Sequence, residues 1–218
     1  MHSFTEENYL KAIYHLSDGN NAGVSTNSIA EVTNTKAASV TDMLKKLADK
    51  KLINYVKYQG VTLTEIGVKA AVNIIRKHRL WEVFLVEKLG FKWDEVHDIA
   101  EELEHINSAV LIDRLDDFLG NPAADPHGDP IPDSTGNFTH KKLVKVSDMK
   151  EGQAGTISGV NEHSSAFLKH LEKLGLTLGT KITITDLIEF DGSIMLKADE
   201  TKERTISREV AKNILVIL

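Results

Sequence analysis

Cysteine is absent from the 218 residues, which removes disulfides, thiolate metal sites and cysteine nucleophiles. Any metal must then be held by imidazole nitrogen and carboxylate oxygen, donors that suit manganese, iron(II) and zinc. No apolar run reaches the roughly 20 residues of a membrane span, and MHSFTEENYL lacks the basic-then-apolar order of a secretory signal. A cytoplasmic protein with no membrane partner is expected. Proline is scarce and confined: all four fall within GNPAADPHGDPIPDSTGNFTH, residues 120–140, which reads as a connector. There is no H-E-x-x-H, P-loop, G-x-G-x-x-G or G-x-S-x-G pattern, so no catalytic residue is assigned and an enzyme is not expected.

Positive charge is also short overall, at a formal net charge of −6, but it is unevenly spread. Residues 36–60 carry Lys36, Lys45, Lys46, Lys50, Lys51 and Lys57 against Asp42 and Asp49, whereas residues 94–133 carry twelve acids and only Arg114. The first segment suits phosphate and the second suits a cation.

Residues 5–16 place Tyr9, Leu10, Ile13 and Leu16 at helical spacing behind a Thr5 cap. Two further short helical patterns, STNSIAEVTN and TKAASVTDMLKKLADKK, flank an Asn34-Thr35 turn, and LINYVKYQGVTLT alternates about Gln59-Gly60 as a hairpin does. Three helices and a hairpin are the order of a winged helix-turn-helix. A long helix is expected over 65–88, then helices over 94–105 and 107–119. Beyond the connector, AGTISGV, KITITDLI, SIMLKA and NILVIL read as short strands around one helix, SSAFLKHLEKLG, the pattern of a small SH3-like barrel. The fold class is therefore mainly α with a C-terminal all-β module. The expected domains are 1–64 (winged helix-turn-helix), 65–140 (helical, with the connector) and 141–218 (SH3-like).

In the third helix Val40, Leu44 and Leu47 form the inward stripe, leaving small and polar residues outward. Lys36, Ser39, Thr41 and Asp42 are candidates for contacts in a DNA groove, and Lys46, Lys57 and Tyr58 for phosphate. A lysine-rich solvated face is the alternative at this point. In EVHDIAEELEH, helical geometry would put His97, Glu101, Glu104 and His105 within about 100° of one another, opposite Val96, Ile99, Ala100, Leu103 and Ile106. His78 and Glu82 lie one turn apart on the long helix. Such His/carboxylate faces bind a divalent cation or are simply solvated, since single i,i+4 pairs contribute only tenths of a kcal/mol. Glu102-x-x-His105 matches half of a di-iron pattern, but the second E-x-x-H that four-helix di-iron sites need is missing.

The stretches NYLKAIYHL, SVTDMLKKLADKKLINYVKYQGVTLTEIG, KHRLWEVFLVEKLG, EVHDIAEELEH and DPHGDPIP, in that order, resemble the diphtheria toxin repressor/manganese transport regulator family of metal-dependent repressors. FLKHLEKLGLTLGTKITI is similar to the SH3-like module shared with the FeoA ferrous-transport accessory protein. The resemblance implies a homodimeric repressor of metal-uptake genes, activated by Mn(II) or Fe(II), that binds palindromic double-stranded operator DNA. Zn(II) or Co(II) would substitute in vitro. Residues 65–140 would then bind metal and dimerise.

It further implies one metal site at Asn8, His78, Glu101, Glu104 and His105, and a second at Glu82, His97, Asp125, His127 and Glu162. Asn8 stands where manganese regulators have Asp, and Lys11 where some have Glu. Asp125 and Glu101 stand where other members have Cys, favouring a harder ion. Ser165 replaces a Gln ligand, leaving Glu162, with His163, to serve the second site. A winged-helix regulator of a non-metal ligand, or a metal-binding enzyme or storage protein, are the rival readings.

Overall fold

The computed structural model describes residues 2–17, 23–56, 60–139, 141–199 and 203–218, and the structural statements below concern these. The first helix, α1, runs Phe4–Leu16. It starts earlier than expected because Ser3, not Thr5, is the cap. Ser3 Oγ accepts from the Glu6 backbone N–H (3.3 Å), and the Glu6 carboxylate accepts from the Ser3 N–H (2.9 Å). This reciprocal box satisfies two N–H groups that a helix start leaves unpaired. Next come α2 (Thr26–Val32) and α3 (Ala37–Asp49), with Asn34 at positive φ in the turn between them. Strands β1 (Ile53–Val56) and β2 (Gly60–Leu63) pair antiparallel, Ile53 opposite Leu63. Leu10, Ile13, Ile29, Val40, Leu44 and Leu47 are fully buried in one cluster beneath these elements. The winged-helix order is thus realised. Gln59, half of the expected hairpin turn, lies outside the described residues.

The long helix α4 spans Glu65–Leu89, followed by α5 (His97–Leu103) and α6 (Ala109–Leu119). The expected helix over 94–105 is therefore shorter at both ends. Before it, Lys92–Glu95 form a turn in which the Glu95 N–H donates to the Lys92 carbonyl and the Glu95 carboxylate accepts from the Lys92 N–H. After it, the Ile106 N–H donates to the Leu103 carbonyl, and Glu104 and His105 leave the helical path. The single helical face expected for His97, Glu101, Glu104 and His105 does not form over its full length: α5 ends at Leu103, and Glu104 and His105, just past it, meet Lys11, His78 and Glu7.

The chain divides into two compact units, one of residues 1–78, 101–110 and 132–137, the other of 79–100, 111–131 and 138–218. The second holds β3 (Val144–Lys145), β4 (Ala154–Val160), α7 (Ser165–Leu174), β5 (Lys181–Leu187), β6 (Ile194–Ala198), β7 (Glu203–Ile206), α8 (Arg208–Lys212) and β8 (Ile214–Ile217). The strands form one antiparallel sheet in the order β3-β8-β4-β5-β6-β7. Register shifts at Ile157/Gly159 and Ile184/Asp186 mark bulges, which bend strands and help a small sheet curl. Ile157, Leu168, Leu171 and Leu196 lie in its core. This is the SH3-like module expected from the strand pattern. No helix among the described residues is long and apolar enough to cross a membrane.

In the first unit a buried ion cluster joins α1 to α3. The Glu6 side chain is 1% exposed and lies 2.7 Å from Lys50 Nζ and 3.0 Å from Lys46 Nζ. Burial opposes its charge, but the two ammoniums and the Ser3 N–H prevail and hold the carboxyl at about 2. A carboxylate depressed in the folded state stabilises the fold above its unfolded value, here 4.5, and loses that contribution as pH falls towards about 2. Glu6→Gln should therefore cost about 1–3 kcal/mol at neutral pH. The difference from wild type should shrink between pH 4.5 and about 2, as measured by urea unfolding followed by circular dichroism.

Candidate metal centre and nucleic-acid interface

Among the described residues, two His/carboxylate sets each lie within a single unit. In the first, α1 contributes Glu7 and Lys11, α4 contributes His78, and the segment at the end of α5 contributes Glu101, Glu104 and His105. Lys11 Nζ lies 2.7 and 2.8 Å from the two oxygens of Glu104 and 3.3 Å from Glu101 Oε1. Glu104, with no exposed side-chain surface, also meets His78 Nδ1 at 2.7 Å. His105 Nδ1 lies 2.6 Å from Glu7 Oε2, and its ring stacks on Phe4 at 4.5 Å. Burial would raise the Glu104 carboxyl, but the His78 hydrogen bond and the Lys11 charge bring it below its ordinary value. Lys77 is buried in the field of Glu7 and Glu104; desolvation lowers its ammonium and the two carboxylates partly restore it.

Of the residues expected for this site, His78, Glu101, Glu104 and His105 are thus in one region of the first unit, but Asn8 is exposed. Its neighbour Glu7 is the residue of α1 that turns inward. The signal was present: Glu7 lies three residues before Leu10 and four before Lys11, one turn along the face that α1 buries.

The second set lies around the connector. Glu82 of α4, Asp125 and His127 are all buried, and each offers a ligand atom within 4.8 Å of the others. Asp125 Oδ1 accepts from the backbone N–H groups of His127 (2.8 Å) and Asp129 (3.0 Å), which folds DPHGDP into a tight turn. His127 Nε2–H donates to the Trp93 carbonyl at 2.8 Å. That bond leaves Nδ1 as the ring nitrogen facing Glu82 Oε2 (3.5 Å) and Asp125 Oδ1 (3.8 Å), buried and without a hydrogen-bond partner. A backbone carbonyl fixing one imidazole nitrogen while the other faces carboxylates is how histidine is oriented towards a metal. Burial, with Glu82 and Asp129, pushes the Asp125 carboxyl up to about 7. Burial works against a charged His127, but Glu82 and Asp125 outweigh it and raise the imidazole to about 9. The cluster draws positive charge, and its donor set fits a divalent ion of manganese or iron(II) type.

His97 is half-exposed, with Nδ1 3.7 Å from Glu82 Oε1. Glu162 is not drawn into the cluster: it is exposed and accepts from the Ser164 N–H at 2.7 Å, ahead of α7. His163 stacks on His127 at 4.8 Å but directs Nε2 to the Val160 carbonyl. Ser165 donates to Asp94. The SH3-like module therefore reaches this set through its backbone. The Val160 N–H of β4 donates to the His127 carbonyl (3.0 Å), and Gly128, at φ +92°, lies directly on β4.

On α3, Lys36 and Ser39 are exposed, and Lys36 precedes a helix start with no side-chain cap. Asp42 pairs with Lys45 at 3.2 Å, and Thr41 bonds back to the Ala37 carbonyl. Lys46, expected at phosphate, is half-exposed and lies on Glu6. Lys57 and Tyr58 fall outside the described residues.

A winged helix-turn-helix, a helical region with buried His/carboxylate sets and an SH3-like module define the class of metal-responsive DNA-binding regulators. Three family models match in series: the N-terminal DNA-binding domain of iron-dependent repressors over residues 1–61, their metal-binding and dimerisation domain over 64–133, and the FeoA domain over 144–218. The chain is 34% identical over 192 residues to the iron-dependent repressor IdeR of Mycobacterium tuberculosis, covering 83% of each. Among solved structures it is similar to a manganese-dependent transcriptional repressor in complex with manganese (34% identity, TM-score 0.85, 97% of this chain and 99% of that one). It is also similar to ScaR with bound Zn2+ (33% identity, TM-score 0.75, 97% and 98%). The chain belongs to the iron-dependent repressor family, that of the diphtheria toxin repressor and the manganese transport regulators.

A Cβ on Gly128 would stand 2.2 Å from the Ser158 carbonyl oxygen and 2.4 Å from Gly159 Cα. Gly128→Ala should therefore push the connector off β4 and loosen His127. Metal affinity should fall about 10- to 100-fold, as supporting-shell changes do, while the far-UV helical signal of the protein is retained. Equilibrium dialysis against Mn(II), with circular dichroism as control, checks both.

Proposed function

We infer that this chain is a metal-activated, DNA-binding transcriptional repressor that works as a homodimer, and we propose that it silences metal-uptake genes from a palindromic operator in the cytoplasm. The observation that carries the metal half is His127 Nδ1, buried and unpartnered between Glu82 and Asp125. We propose Glu82, Asp125 and His127 as the ligands, with His97 beside Glu82. Bound there, Mn(II) or Fe(II) would take up His127 Nδ1 and add positive charge between the two carboxylates, setting the connector against α4.

On the DNA side we propose that Ala37, Ala38 and Ser39, small and exposed at the start of α3, let the helix enter a major groove. Lys36, Ser39, Thr41 and Asp42 would then meet base edges or sugar-phosphate, and Lys46, Lys57 and Tyr58 would serve the phosphates. Two such helices in a dimer would engage half-sites about 34 Å apart. The proposed division is DNA binding in 1–64, metal binding and dimerisation in 65–140, and support of the connector in 141–218. The effector acts only through its higher affinity for the DNA-competent state.

Operator affinity, measured by fluorescence anisotropy, should rise about 10- to 100-fold from EDTA to Mn(II) or Fe(II), a coupling of roughly 1–3 kcal/mol. Glu82→Gln and His127→Ala should remove that rise while leaving weak, salt-sensitive DNA binding. Equal affinity with and without metal would overturn the metal reading.

A further inference from the structure

The first His/carboxylate set does not fit a metal ion. Each acid or imidazole group that could serve as a ligand already meets a group of the protein: Glu104 meets Lys11 and His78, Glu101 meets Lys11, and His105 meets Glu7. The position a cation would take between Glu101 and Glu104 is filled by the Lys11 ammonium, only 14% exposed. A second buried ammonium, Lys77, lies in the field of Glu7 and Glu104. A divalent ion placed here would be repelled by both.

Resting on the metal-activated reading above, we propose that Lys11 is a built-in cation that replaces the metal of this set, so that α1 is fastened to residues 101–105 without metal. The Glu82, Asp125 and His127 cluster is then the metal-responsive centre among the described residues. Three contacts make the fastening: Lys11 on Glu104 and Glu101, Glu7 on His105, and Phe4 stacked on the His105 ring. The first is charged, buried at Glu104 and shared by both carboxylate oxygens, the geometry in which an ion pair is strong. Glu101 is about half-exposed and its share of the pair is weak.

Manganese content per chain, measured by mass spectrometry after equilibrium dialysis of the full-length protein, tests the proposal. Wild type should hold one Mn(II), lost in His127→Ala and kept in Glu104→Gln. Lys11→Met should gain a second ion, and adding Glu104→Gln to it should remove that ion again; Lys11→Arg should stay at one. A wild type with two ions, one of them lost in Glu104→Gln, would sink the proposal and leave the metal-activated reading standing. So would a single ion that Glu104→Gln removes and His127→Ala keeps. No bound ion at all would overturn both. Should Lys11→Met fail to fold, hydrogen exchange of the wild type still decides. Amides of α1 should be equally protected in EDTA and in Mn(II), and a tenfold gain in protection on adding metal would refute the built-in cation.

Discussion

A carboxylate removed from water must be met by a cation or by donated hydrogens, or it will take up a proton. This chain buries Glu6, Glu7, Glu82, Glu104 and Asp125, and the way each is compensated organises the molecule. Glu6 is met by two lysines and a backbone N–H, which ties α1 to α3. Glu104 is met by Lys11 and His78, and Glu7 by His105. Glu82 and Asp125 face His127 Nδ1 at 3.5 and 3.8 Å, with His97 beside Glu82 and with Arg79 and two backbone N–H groups on Asp125. In the first two cases lysine ammoniums and imidazoles sit directly on the carboxylates; in the third, His127 Nδ1 stays buried without a hydrogen-bond partner. A buried ligand atom left without a partner between two carboxylates is where an external cation gains by binding.

Responsiveness follows from that difference. His78 and Glu82 stand one turn apart in sequence along α4, yet His78 meets Glu104 and Glu82 faces His127. Around the His127 set the protein supplies supports: the Asp125-centred turn, the Trp93 carbonyl on His127, Arg79 on Asp125 and Asp129, and β4 beneath Gly128. A ligand set held in place before the ion arrives loses little conformational entropy on binding.

Much of this was legible in the sequence, because periodicity reports which face of an element is buried. The 3.6-residue pattern located α1, α3, α4 and α6 to within a few residues, and alternation located β4, β5, β6 and β8. What failed was governed by contacts distant in sequence. EVHDIAEELEH carries helical periodicity throughout, but α5 ends at Leu103 since Glu104 and His105 are claimed by Lys11, His78 and Glu7. The resemblance points to Asn8 on α1, whereas the face that α1 buries carries Glu7. Glu162 was expected to join His127, but its carboxylate serves the turn before α7. The role of β4 is invisible to any reading of side-chain types, because it acts through a backbone N–H and the absence of a Cβ at position 128.

An ammonium and a metal ion can neutralise the same carboxylates, but they differ as signals. Lys11 is present at unit occupancy whatever the surroundings, so its contribution to the fold is constant. A dissociable ion contributes RT ln(1 + [L]/Kd), which grows with its concentration. A regulator whose every carboxylate set were filled by lysine would be permanently in one state. One in which every set awaited metal would need several ions to assemble a single DNA-competent form, and its response would be steep but late. Supplying one cation covalently while one cluster awaits a dissociable ion, as proposed above, would lower the number of ions needed. It would also leave a single concentration-dependent step between the metal supply and the operator.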